Sequence, residues 1–148
     1  MINSETFINI LASSSSVLLS ISLLLLRGTI GIILFVVGAG KVLGWFDGMG
    51  MEQTIKMFSQ IGISTPLTYL SCYTEFIGGL FITIGIFTRP VAFAVTVNMT
   101  VATIVTLPGG FLAPNGAVLP FTFLMCSIAI LIAGPMKHSI DNLWFGER

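Results

Sequence analysis

The sequence predicts an all-α membrane protein, a four-transmembrane-helix bundle with a short amphipathic interfacial helix between helices one and two. Three observations predict it. The 148 residues are 55% hydrophobic and only 8% charged, whereas a soluble domain carries about 25% charged residues. Four apolar stretches read as long enough to cross a ~30 Å hydrocarbon core, which needs about 20 residues. Those stretches are continuous, without apolar–polar alternation, and too long for barrel strands, which leaves helices.

Residues 1–16 read as an N-terminal extension. They contain Glu5 and no Lys or Arg, unlike the positive start of a cleaved signal, so the first apolar segment is expected to remain as an anchor. The membrane domain is expected over 17–143, with spans at about 20–43, 67–87, 90–107 and 117–133. Residues 144–148 form a C-terminal tail.

The connections differ in character. In "MEQTIKMFSQIGI" (51–63), Ile55, Phe58 and Ile61 or Gly62 recur at helical spacing, with Glu52, Gln53, Lys56, Ser59 and Gln60 opposite. That pattern is an amphipathic helix lying on the membrane, with a mobile loop as the alternative. "FTRPVA" (87–92) is a tight turn, and Pro90 suits a helix start, where its missing N–H is not needed. "LPGGFLAPNG" (107–116) has two Pro, three Gly and no charge, so it reads as irregular backbone near the interface.

Four spans place both termini and the second connection on one side. That side holds Arg89, Lys137 and Arg148 against Lys41 and Lys56 on the other, which favours cytoplasmic termini in a cell (inner) membrane. Trp45 and Trp144 suit interface anchors. Six Lys/Arg balance six Asp/Glu, so no basic surface exists for nucleic acid. Cys72 and Cys126 are far apart and outside any metal-binding or redox spacing, and read as small buried residues. His138 is the sole histidine, so no bis-His haem site forms within the chain. No phosphate loop, nucleophile elbow or metal cluster is present.

Function, if written in this chain, lies in the polar residues within the spans, because each intramembrane charge costs about 2.5–3.5 kcal/mol on insertion scales. Arg27, Gly31, Leu34 or Phe35, Gly38 and Lys41 share one face of the first helix. Cys72, Glu75, Gly79 and Thr83 share a face of the second, and Ala94, Asn98 and Ala102 a face of the third. Small residues let neighbouring backbones approach, so all three faces are expected to turn inward. Centring the first two spans puts Arg27 ~7 Å from the midplane on one side and Glu75 ~3 Å on the other, which makes Glu75 the expected partner of Arg27. Lys41, near its helix end, is expected at the interface. Three readings of Arg27 stay open: snorkelling to the surface, a structural pair with Glu75, or a pair lining a functional cavity.

Three motifs in order resemble the DoxX family of small four-helix membrane proteins. "LRGTIGIILFVVGAGKVLGW" is similar to the family's first helix, with Arg27, Gly31, Phe35, Gly38 and Lys41 in matching places. "TEFIGGLFITIGIFTRPVA" resembles its most specific motif through Glu75, Gly78, Gly79, Gly85, Thr88 and Arg89. "GPMKHSIDNL" resembles the closing element through Gly134, Ser139 and Asp141. The likeness covers roughly 23–143. It departs in the extended N-terminus and in the acid-free "PGGFLAPNGAVLP" before the fourth helix.

The resemblance implies a membrane module linked to quinone chemistry, with Arg27, Glu75 and Asn98 meeting a quinone headgroup. No cofactor motif lies in the chain, so electrons are expected from other membrane subunits. The alternative is a purely structural accessory subunit stabilising a larger assembly, with no ligand chemistry of its own. A transporter has little support from two non-repeating helix pairs.

Overall fold

The computed structural model describes residues 16–134. The N-terminal extension, Lys137, His138, Ser139, Asp141, Trp144 and Arg148 lie outside the described residues. Among the described residues there are five α-helices and no strand: α1 Ser16–Leu43, α2 Gly50–Gln60, α3 Thr65–Ile84, α4 Thr88–Thr106 and α5 Val118–Ala133. Three stretches, Leu18–Leu43, Thr65–Ile84 and Thr88–Gly109, are long and apolar enough to cross a membrane. α5 is apolar but has 16 residues, about 24 Å at 1.5 Å per residue.

Local chemistry sets the boundaries. α3 opens after an extended Ser64, with Pro66 in its first turn, and stops at Gly85 in the left-handed region (φ 75°). Its end therefore falls short of the expected Phe87. Phe87 is also left-handed (φ 48°), and the chain reverses within three residues into Thr88-Arg89-Pro90, the first turn of α4. The acid-free segment after α4 is a 3-10 turn, Leu107–Gly109, followed by bends and turns up to α5. The amphipathic α2 buries Thr54 and half-buries Ile55 and Phe58, while Glu52, Gln53, Lys56, Ser59 and Gln60 face outward.

α1 and α3 form the tightest antiparallel pair, and glycine sets their register. A methyl group on Gly31 would sit 2.7 Å from the Gly79 carbonyl oxygen, and one on Gly38 would overlap the backbone of Phe76. α4 and α5 form the second pair, tied by a hydrogen bond from Thr96 Oγ1 to Ser127 Oγ at 2.9 Å. The two pairs share a core of Ile30, Leu34, Ile82, Val95, Met99 and Phe123. Most helical Thr hydroxyls donate to the carbonyl one turn back, as Thr83 does to Gly79 and Thr103 to Met99. Such bonds satisfy hydroxyls where no water is available. Leu25, Leu70, Ile104 and Ile132 are among the large apolar side chains left exposed on the bundle's outside, as hydrocarbon solvent permits.

Candidate functional site

Glu75 stands in the middle of α3 and is 95% withdrawn from the surface, its side chain only 5% exposed. Lys41, in the last turn of α1, reaches it with Nζ 2.6 Å from Oε2 and 2.8 Å from Oε1. One cation thus engages both carboxylate oxygens, a charge-assisted pair in a place where water is scarce. Lys41 is 26% exposed, and its Nζ lies 5.8 Å from the centroid of the Phe58 ring on α2. That distance is within the range of a cation–π contact.

The pair lies in the wall of a cavity of about 370 Å³ between α1, α3, α4 and α5, beneath α2 and the 107–117 connection. Leu34, Val37, Met57, Met99 and Phe123 supply apolar surface, and Thr106 and Asn115 add polar groups near the irregular connection. The Thr106 hydroxyl is occupied by the carbonyl of Ala102, 2.8 Å away.

The structure corrects two expectations about the site. Glu75 pairs with Lys41, not with Arg27. Centring the hydrophobic runs misjudged the register, which the glycines fix instead: Gly38 lies beside Glu75 and Phe76, and Gly31 beside Gly79 and Thr83. Arg27 is eleven residues before Gly38, about 16 Å along the helix, whereas Lys41 is less than one turn beyond it. Arg27 is instead buried at the other end of the bundle, lining a small cleft with Ser20, Leu23, Ile130 and Gly134. Lys41 accordingly belongs to the site and not merely to the interface.

The second correction concerns α4. Its buried face carries Thr88, Ala92, Val95 and Met99, so Asn98 does not join Glu75 in the cavity. Asn98 lines a groove on the opposite side of the α3–α4 seam, with Ser71, Thr74 and Ala94. Its Nδ2 is buried without a hydrogen-bond partner among the described residues. Arg27, Glu75 and Asn98 therefore occupy three separate places. Of the third small-residue face only Ala102 reaches the cavity.

The remaining motif positions are structural in placement. Gly31, Gly38 and Gly79 bring α1 and α3 together, and Gly78 turns toward α4, where a methyl group would meet Val95 Cγ2 at 3.2 Å. Arg89 lays its guanidinium over Gly134, where a methyl group would sit 2.7 Å from Nε. Cys72 is fully buried, Cys126 is half-buried, and both are free thiols. Among the described residues, no three His, Cys, Asp or Glu side chains come together as a metal site.

Sequence reasoning missed Met99 and Asn115. The 88-92-95-99 spacing carries the signal for Met99, since it follows helical period with larger side chains than the Ala-Asn-Ala set. Asn115 carries no comparable signal, because it sits in irregular backbone at φ 61°.

Comparison with known proteins adds the family. The DoxX family model matches residues 22–108. A Bacillus subtilis (strain 168) protein named "Putative oxidoreductase CatD" is 34% identical over 127 residues, covering 84% of this chain and 88% of that relative. No solved structure matches the chain significantly. The family match takes in α1, α2, α3, α4 and the Lys41–Glu75 pair, and the relative extends the likeness along most of the sequence: the chain belongs to the DoxX family.

Proposed function

We propose that the protein is a redox-linked module of a cell-membrane complex, binding a quinone headgroup in the cavity beside Lys41 and Glu75. The observation that carries this reading is an ion pair set in the wall of a mostly apolar cavity of about 370 Å³. Small-ligand sites typically span about 300–1,000 Å³ and combine apolar walls with a few convergent polar groups. The residues suit such a headgroup. Lys41 offers N–H donors to a ring carbonyl and a positive charge where reduction places negative charge. Glu75, beside that donor, adds a carboxylate that accepts a hydrogen bond from a ring hydroxyl. Met57, Phe58 and Met99 provide flat, polarisable apolar surface.

A bound quinone supplies the capacity to take up two electrons and two protons. The electrons arrive from a partner subunit. The oxidoreductase name of the Bacillus relative supports a redox setting, and Lys/Arg bias supports cytoplasmic termini.

A purely structural accessory subunit is the second reading, favoured by one observation. The Lys41–Glu75 pair also clasps the glycine-packed α1–α3 seam, which a scaffold needs as much as a binding site does.

Titrating a benzoquinone probe into the purified protein in nanodiscs separates the two. The quinone reading expects saturable binding weakened about tenfold by Glu75→Gln, the order of one charge-assisted hydrogen bond. Binding that never saturates, or that Glu75→Gln leaves unchanged, leaves the scaffold reading standing alone.

A further inference from the structure

The Lys41–Glu75 cavity has a neighbour. On the lipid-facing side of the α3–α4 seam lies a groove of about 380 Å³, lined by exposed Leu67, Leu70, Phe93, Val97 and Val101. It continues past Leu70, Thr74 and Ala94 into a further recess of about 370 Å³ that reaches Ile77, Phe81 and Pro90. No charged residue lines either part. One residue is common to the linings of the charged cavity and the groove: Phe58.

Phe58 is half-buried on α2, with its ring against Lys41. α2 is flanked by Gly50 and Gly62, both at positive φ (72° and 83°), a conformation glycine adopts freely. The ring thus borders both the mostly apolar cavity that holds the ion pair and the long groove open to hydrocarbon.

We infer that the ligand of the Lys41–Glu75 cavity carries an apolar tail, that the tail lies in the α3–α4 groove, and that Phe58 sets which tails pass. This rests on the reading of that cavity as a headgroup site. It commits the ligand to a class dissolved in the bilayer, a carbonyl-bearing ring on a linear hydrocarbon chain. Water-soluble rings of the same chemistry are excluded as the preferred ligand. The continuity of groove and cavity across one side chain favours this occupant over a second copy of the chain, which would need no opening to the ion pair.

The test uses the full chain in nanodiscs and two benzoquinone probes, one without a tail and one with a decyl chain. For each probe the ratio of variant to wild-type Kd cancels partition into lipid. Phe58→Trp narrows the passage, and Val97→Trp fills the groove from its lipid side without touching the cavity. Val97→Trp is expected to weaken the tailed probe about tenfold and the tail-less probe less than about twofold, and Phe58→Trp, which also borders the headgroup, to weaken the tailed probe about tenfold more than the tail-less one. Equal effects on the two probes, or none, overturn the inference while leaving the headgroup site intact. A shift from dimer to monomer in Val97→Trp with unchanged probe binding assigns the groove to a second copy, and overturns it as well. Absence of saturable binding of either probe to the wild type overturns both the headgroup reading and this extension of it. Thermal unfolding of each variant verifies that the fold is kept.

Discussion

Gly31 and Gly79 face each other so closely that a methyl group on either would lie 2.7 Å from the other's carbonyl oxygen. The contact is reciprocal, and it fixes how α1 and α3 slide past one another. Everything at the site follows from that register, including which cation Glu75 meets.

Gly79→Ala should therefore be among the most damaging small substitutions in the chain. The added methyl meets backbone on α1, which cannot rotate away, so a loss of about 2–3 kcal/mol is expected from overpacking. Gly28→Ala on α1, where a methyl meets nothing within 4 Å, should change stability by less than about 0.5 kcal/mol. Thermal unfolding in detergent compares the two.

Removing one partner of the Lys41–Glu75 pair leaves the other charge buried. Lys41→Met should cost about 3 kcal/mol, whereas Lys41→Met with Glu75→Leu should recover most of it, since an apolar pair needs no compensation. The exchanged pair, Lys41→Glu with Glu75→Lys, should also recover part of the loss. Arg27→Glu with Glu75→Arg should recover none, because the two positions are about 16 Å apart along the bundle. Denaturant or thermal unfolding of these single and double variants is the measurement.

Asn98 Nδ2 is buried without a hydrogen-bond partner among the described residues. Replacing Asn98 with Leu removes an unsatisfied amide from the hydrocarbon region and should stabilise the fold by about 1–2 kcal/mol. A fall in the unfolding temperature would overturn this and assign the amide a partner beyond the described residues.

On α2 the Lys56 ammonium, 2.7 Å from Glu52 Oε1, holds the Glu52 carboxyl below its ordinary value through its hydrogen bond and its charge. A lowered folded-state value means that the stabilisation is present above the ordinary carboxylate range near 4.5. It is lost as pH falls through the lower value. The pair is exposed, so that stabilisation is too small for Glu52→Gln to change unfolding measurably between pH 6 and 8. Circular dichroism across that range checks it.

The architecture was legible in the sequence because apolar runs and turn residues act locally. The membrane-crossing helices, the amphipathic α2 and the irregular 107–116 segment follow from hydropathy, periodicity and Pro/Gly content. The inward faces of α1 and α3 were also legible, since glycine at helical spacing marks close backbone approach. The pairing of Glu75 was not, because register is a relation between two helices and hydrophobic length constrains it only to within a few residues. A shift of about 7 Å, five residues of rise, was enough to exchange Lys41 for Arg27. The face of α4 was misread for a different reason. Asn98 drew attention as the one strongly polar group, yet Val95 and Met99 fill the core and turn it aside.

The unequal lengths of the helices bear on the bilayer itself. α1 is about 42 Å long and α5 about 24 Å, against a hydrocarbon thickness of ~30 Å. The described part of α5 is therefore shorter than an average hydrocarbon core, a mismatch that lipid thinning, snorkelling at its ends or association with a neighbour relieves. Hydrophobic mismatch of this kind costs fractions of a kcal/mol per Å, enough to bias where in a membrane the protein resides. Val118 and Leu119, at the start of α5, border the Lys41–Glu75 cavity, so the short flank is also a wall of that cavity.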